Sequence, residues 1–379
     1  PLGGGHNHQI LLNSGGGYFT TVKNSGVEVN QAIAANAVFF DADGDGILDL
    51  FVGNGHTSFP SPDLFFLGNG DGTFKSMSNV LKGNPAQPTN GCVVCDYDDD
   101  GDLDIFVSTY GVSASLGLNI LWENDGGNFT NVAVERGYAS QSGGNYWMGL
   151  ADSLEPGKSA GQYMGSNGFG LDCGDVNNDG KMDVFLTTIS HAVNATACDQ
   201  YCAQSPNSQN CQECYKRQWS DPSQLLINQG GTAGFKNEWL ARSLPFNEGD
   251  IDGAILDFDN DGLLDLSLSR ESKYEKAYPD DEQKGWFGLM RQLPDGQFES
   301  VGLKSGINAL GIEQLASLTA CTSDAQCTAG GEKCLKDKCR IPCSTNAECV
   351  SEHEVCHSGG FCRALNRMKR AQNHAWSDI

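Results

Sequence analysis

Asp41-Ala-Asp-Gly-Asp-Gly-Ile-Leu-Asp49 sets aspartate at positions 1, 3, 5 and 9 of a nine-residue stretch, with glycine at position 6. Three further stretches keep the arrangement: Asp96-Tyr-Asp-Asp-Asp-Gly-Asp-Leu-Asp104, Asp175-Val-Asn-Asn-Asp-Gly-Lys-Met-Asp183 and Asp257-Phe-Asp-Asn-Asp-Gly-Leu-Leu-Asp265. So many carboxylates in nine residues repel one another unless a cation lies among them. A hard cation such as Ca²⁺ takes six to eight oxygens. The expected ligands are Asp41, Asp43, Asp45 and Asp49; Asp96, Asp98, Asp100 and Asp104; Asp175, Asn177, Asp179 and Asp183; and Asp257, Asp259, Asp261 and Asp265. The carbonyls at position 7, from Ile47, Asp102, Lys181 and Leu263, add one oxygen each. Glycine at position 6 permits the sharp turn around the ion. The cofactor expectation is therefore Ca²⁺ at about four sites, one per repeat.

An EF-hand loop also opens D-x-D-x-D-G, but it needs a bidentate Glu at position 12 and flanking helices. Position 12 is Val52, Val107, Leu186 and Leu268. The flanks, such as Asp104-Ile-Phe-Val-Ser-Thr109, read as strands. A second repeat alternates with the first: an apolar strand, a Gly/Asn turn and an aromatic residue. Examples are Leu64-Phe-Phe-Leu-Gly-Asn-Gly-Asp-Gly-Thr-Phe74 and Ile120-Leu-Trp-Glu-Asn-Asp-Gly-Gly-Asn-Phe129. These read as β-hairpins. Each unit is then strand, acidic loop, strand and hairpin, four strands in about 50–80 residues, which predicts an all-β protein of the β-propeller type.

The acidic loops resemble the FG-GAP repeats of integrin α-subunits, most closely in Phe169-Gly-Leu-Asp-Cys-Gly-Asp-Val-Asn-Asn-Asp-Gly-Lys-Met-Asp-Val184. The hairpins are more similar to those of secreted cartilage-acidic-protein-like propellers. The resemblance covers roughly residues 9–310. It implies a seven-bladed propeller with mainly structural Ca²⁺ between the first two strands of several blades. About five blades are expected in the chain. Residues 9–20 read as the hairpin half of one blade, and His374-Ala-Trp-Ser-Asp-Ile379 reads as the strand entering another loop, with Asp378 at position 1.

The expected organisation is propeller over 1–320, a disulfide module over 321–364 and a return to the propeller over 365–379. Cys321, Cys327, Cys334 and Cys339 are followed at offsets of 22, 22, 22 and 23 residues by Cys343, Cys349, Cys356 and Cys362, a tandem duplication. A module of this size cannot build a large core, so disulfides are expected, with connectivity left open. Insertions are expected at about 138–166 and 190–222. The second holds Cys198, Cys202, Cys211 and Cys214, read as disulfide candidates in preference to zinc ligands. Cys92, Cys95 and Cys173 lie beside the loop strands and make the total of fifteen odd. One of the three is expected to pair outside the chain or to stay free and buried. Asn128 and Asn194 open glycosylation sequons.

Lys+Arg number 24 against 48 Asp+Glu, a formal charge of -24. That balance argues against nucleic acid and anionic lipid. No run approaches the ~20 apolar residues of a membrane helix. No H-E-x-x-H, G-x-S-x-G or phosphate-loop motif occurs, and the clustered carboxylates are already assigned as ligands, so no catalytic residue is named. The favoured expectation is a non-enzymatic, secreted or cell-surface scaffold. Its partners would be an extracellular protein or glycan, or copies of itself in a matrix or filament. The competing expectation is a carbohydrate-active enzyme or lectin built on a propeller.

Overall fold

The computed structural model describes residues 8–29, 33–56, 59–110, 118–139, 168–188, 223–244, 250–270, 287–302, 305, 320–328, 331–335, 338–344, 348, 354–356 and 362–364. Four sheets follow one plan, each a run of four strands paired antiparallel in chain order. A partial unit precedes them, the hairpin of β1 (Leu11–Gly15) and β2 (Tyr18–Thr21). The first full sheet comprises β3 (Ala34–Phe40), β4 (Asp49–Asn54), β5 (Leu64–Gly68) and β6 (Phe74–Ser76). After it, β7 (Leu81–Lys82) crosses over to pair parallel with the outer strand of the second sheet. That second sheet is β8 (Thr89–Cys95), β9 (Asp104–Thr109), β10 (Ile120–Asp125) and β11 (Asn128–Asn131). The third is β12 (Gly168–Gly174), β13 (Asp183–Thr188), β14 (Gln224–Asn228) and β15 (Phe235–Asn237). The fourth is β16 (Asp250–Leu256), β17 (Asp265–Arg270), β18 (Phe287–Gln292) and β19 (Phe298–Ser300). The fold is mostly strand, with short 3₁₀ turns and no α-helix among the described residues.

The first strands of successive sheets, β3, β8, β12 and β16, lie side by side. This stacks the sheets face to face and explains the second strands. All six residues of β4, β9 and β13 are buried. Side chains of a strand alternate between its faces, and here both faces meet a neighbour. Ile105 and Val107 of β9 point into a core shared with Phe40, Phe51 and Phe65 of the first sheet. Phe106, between them, points the other way, into a core with Tyr138, Val184, Leu226 and Phe235. Phe185, Leu225, Trp239, Leu266 and Met290 fill the third interface. Tyr138 and Ala139, expected to begin an insertion, belong to the second of these cores.

Close approach of the sheets has a local requirement at Gly91 in β8. A Cβ there would lie 2.0 Å from the Phe169 carbonyl oxygen of the next sheet, so no other residue fits. Each first strand also carries a register shift against its partner, between Ala34 and Asn36, Thr89 and Gly91, Gly168 and Leu171, and Asp250 and Asp252.

The cysteine module contributes two small hairpins, β20 (Lys333–Leu335) with β21 (Lys338–Arg340), and β22 (Glu354–Cys356) with β23 (Cys362–Ala364). Disulfides join Cys321 to Cys334 and Cys327 to Cys339, so the first half closes on itself. Cys343 and Cys362 are also disulfide-bonded. Cys349, Cys198, Cys202, Cys211, Cys214, Asn194 and residues 365–379 lie outside the described residues, as do residues 140–167 and 189–222 of the expected insertions. Asn128 opens β11 and is exposed.

A further disulfide, Cys95–Cys173, was not among the expected candidates. It links β8 to β12, the neighbouring first strands of the second and third sheets, across 78 residues of sequence. Among the described residues Cys92 is the free thiol, and burial pushes it up to about 12.

Candidate functional site

The four acidic stretches each connect the first strand of a sheet to its second, and their local geometry is the same. The position 1 carboxylate accepts from the backbone N–H groups of positions 5 and 6. These contacts are Asp41 with Asp45 and Gly46 at 3.1 and 2.8 Å, and Asp175 with Asp179 and Gly180 at 2.9 and 2.8 Å. Asp96 and Asp257 do the same. The position 5 carboxylate accepts from the N–H of position 7 in all four. The turn therefore folds the chain around its own carboxylates.

Two positions in each loop are left-handed. Position 6 is glycine throughout, with φ of 84, 94, 84 and 87°. Position 4 is Gly44, Asp99, Asn178 or Asn260, with φ of 73, 62, 56 and 57°. Glycine, asparagine and aspartate are the residues that tolerate this region best. The recurrence of this residue set at position 4 is a sequence signal that the D-x-[DN]-x-D-G pattern leaves unread.

The position 9 aspartates, Asp49, Asp104, Asp183 and Asp265, are fully buried. One oxygen of each accepts from the N–H of position 2, from Ala42, Tyr97, Val176 and Phe258 respectively. The other accepts from the N–H at the end of the third strand, from Gly68, Asn124, Asn228 and Gln292, at 2.7–2.8 Å. Each position 9 side chain thus joins loop, second strand and third strand. Burial raises all four pKa values, to about 8 for Asp104 and about 6 for Asp183 and Asp265. No cationic side chain among the described residues forms an ion pair with any of them.

The third-strand residues add a link between sheets. The Asn124 side-chain amide donates to the Ala42 carbonyl of the preceding loop at 2.9 Å, and Asn228 donates to the Tyr97 carbonyl at 2.7 Å. Gln292 donates to the Val176 carbonyl at 2.8 Å. Asn124 and Asn228 also reach position 8 of their own loops. One amide therefore holds two consecutive acidic loops in register. Replacing Asn228 with alanine strips the buried Tyr97 carbonyl of this donor, at a cost of about 1–3 kcal/mol. The expected result is a lower midpoint in chemical denaturation. A midpoint unchanged from wild type would remove the amide from any part in joining the sheets.

Acidic oxygens converge in three of the loops. Within each of the sets Asp41/Asp43/Asp45, Asp96/Asp98/Asp104 and Asp257/Asp259/Asp265, one oxygen per residue lies within 4.8 Å of the others. Asn177 takes the place of an acid in the remaining loop. Hard oxygen donors at this spacing, together with buried carboxylates lacking a protein cation, suit a hard divalent ion. The sulfurs of Cys321, Cys327 and Cys339 also converge. They are disulfide sulfurs, and a metal binds the thiolate.

Residues 41–107 run from the first acidic loop through the second and into β9. Over that span the chain matches the family model of an FG-GAP-like repeat. No curated protein matches the chain. The chain therefore carries an FG-GAP-like repeat across its first two acidic loops.

Proposed function

We propose that the chain is part of a calcium-stabilised β-propeller that serves as a non-enzymatic extracellular scaffold for binding protein or glycan, or for self-assembly. The observation that carries this reading is the fourfold recurrence of one acidic loop, with buried position 9 carboxylates, in four stacked sheets. The FG-GAP-like repeat supports a propeller-type, protein-binding scaffold. Disulfides within the cysteine module and between two neighbouring sheets fit an oxidising compartment. No described helix is long and apolar enough to cross a membrane.

Strand direction supports a division of labour between the two ends of the sheets. The acidic loops and the 3–4 hairpin turns lie at one end. The connections from second to third strand, and from one sheet to the next, start and finish at the other. The described residues flanking 111–117, 140–167, 189–222 and 271–286 are all at that other end. On this reading calcium rigidifies one end, and the long connections supply contact surface from the opposite one.

Calcium that binds the folded chain and not the unfolded one stabilises by mass action. With Kd about 10⁻⁴ M, each site contributes about 2 kcal/mol at ~2 mM free calcium. Excess EGTA is expected to lower the melting temperature by about 5 °C or more. An unchanged melt under full chelation would sink the calcium reading.

A further inference from the structure

The four loops share a backbone design but differ in the charge that the third strand presents beside them. The residue preceding each N–H donor to the position 9 carboxylate is Leu67, Glu123, Ile227 and Arg291 in turn. Leu67 and Ile227 carry no charge. Glu123 is engaged by the Tyr97 hydroxyl and by Arg136, whose guanidinium lies 3.0 Å away. Arg291 is different. Its Nε lies 2.7 Å from an Asp259 oxygen, and its terminal nitrogen lies 3.0 Å from an Asp261 oxygen. Those are positions 3 and 5 of the fourth loop. The guanidinium thus spans two carboxylates expected to hold the ion. The third loop has a weaker relative of this contact, Lys181 to Asp179 alone at 2.8 Å.

We propose that Arg291 is a tethered cation of the fourth loop, weakening calcium binding there below what its four aspartates would otherwise give and holding its turn together when calcium is scarce. The inference rests on the calcium reading above. A fixed positive charge beside the ligand carboxylates repels an incoming divalent ion and satisfies the same oxygens in its absence. Its removal should therefore act in opposite directions on the two states. Leucine is the natural replacement, because Leu67 occupies the corresponding place in the first sheet.

The test is a calorimetric calcium titration of the chelator-stripped full chain, paired with melts in EGTA and in saturating calcium. Arg291→Leu should tighten one site about tenfold relative to wild type, lower the melting temperature in EGTA, and leave it unchanged or higher in calcium. Asp259→Asn should remove or weaken that same site, and Arg291→Leu added to it should change no remaining affinity. An equal loss of melting temperature in both conditions would make Arg291 an ordinary structural ion pair and overturn the proposal. Unaltered affinities in Arg291→Leu would overturn it while leaving the calcium reading intact. A wild-type chain that binds no calcium would overturn both.

Discussion

Replacing Cys95 and Cys173 together with alanine is expected to destabilise the protein by about 4 kcal/mol, seen as a large drop in the denaturation midpoint. The bond closes a loop of 78 residues. A cross-link over that length removes much of the freedom of the unfolded chain, and chain-entropy models place the effect near the top of the usual range. The loop it closes includes residues 140–167, so without the bond a long connection alone ties the second sheet to the third along the chain. The core between those sheets includes both cysteines, Cys95 as one of its buried members and Cys173 packed against it. Cys92→Ala is the matched control. It removes a partly buried sulfur from the opposite face of β8 without touching a cross-link, and should cost only about 1 kcal/mol. If the double variant melted no earlier than Cys92→Ala, the disulfide would carry no stability. Alkylation of the native protein should spare Cys92, since burial keeps its thiol protonated.

Repetition made the architecture legible. Four copies of the acidic stretch and of the hairpin fixed the strand order within every sheet, because each copy confirmed the period of the others. Apolar runs such as Asp104-Ile-Phe-Val-Ser-Thr109 marked the doubly buried second strands. The lateral relations were harder to see. Cys95 and Cys173 stand one and two residues before their acidic loops, at neighbouring places in adjacent repeats, and that nearness was the available clue to their pairing. The odd cysteine count showed only that one of the three would pair outside the chain or stay free, not which two would join; Cys92 is free. The amides of Asn124, Asn228 and Gln292 were legible only as hairpin residues, since a hydrogen bond to a loop 82 to 131 residues away leaves no mark on local periodicity. Arg291 was missed for the same reason: its partners lie 30 and 32 residues back in the chain.

The second large effect is expected from Asp104→Ala. The aspartates at positions 1, 3, 5 and 9 look alike in sequence, and all were assigned to metal. Asp104 is distinguished by complete burial and by accepting backbone N–H groups from both Tyr97 and Asn124, at 3.1 and 2.8 Å. Alanine leaves both donors buried without an acceptor, at about 1–3 kcal/mol each, and opens a small void beside Tyr97. The total, about 2–6 kcal/mol, should appear as a lower denaturation midpoint even in EGTA, because these bonds need no ion. In calcium the loss should be larger, since one carboxylate of the converging Asp96/Asp98/Asp104 set goes with it. Asp98→Ala gives the contrast. Its side chain is not buried, and no backbone donor outside its own residue is assigned to it. That variant should be nearly neutral in EGTA and should lose stability only when calcium is present. Were Asp104→Ala as mild as Asp98→Ala under chelation, the position 9 carboxylate would act through the metal alone, and the hydrogen-bonded junction of loop, second strand and third strand would have no energetic weight.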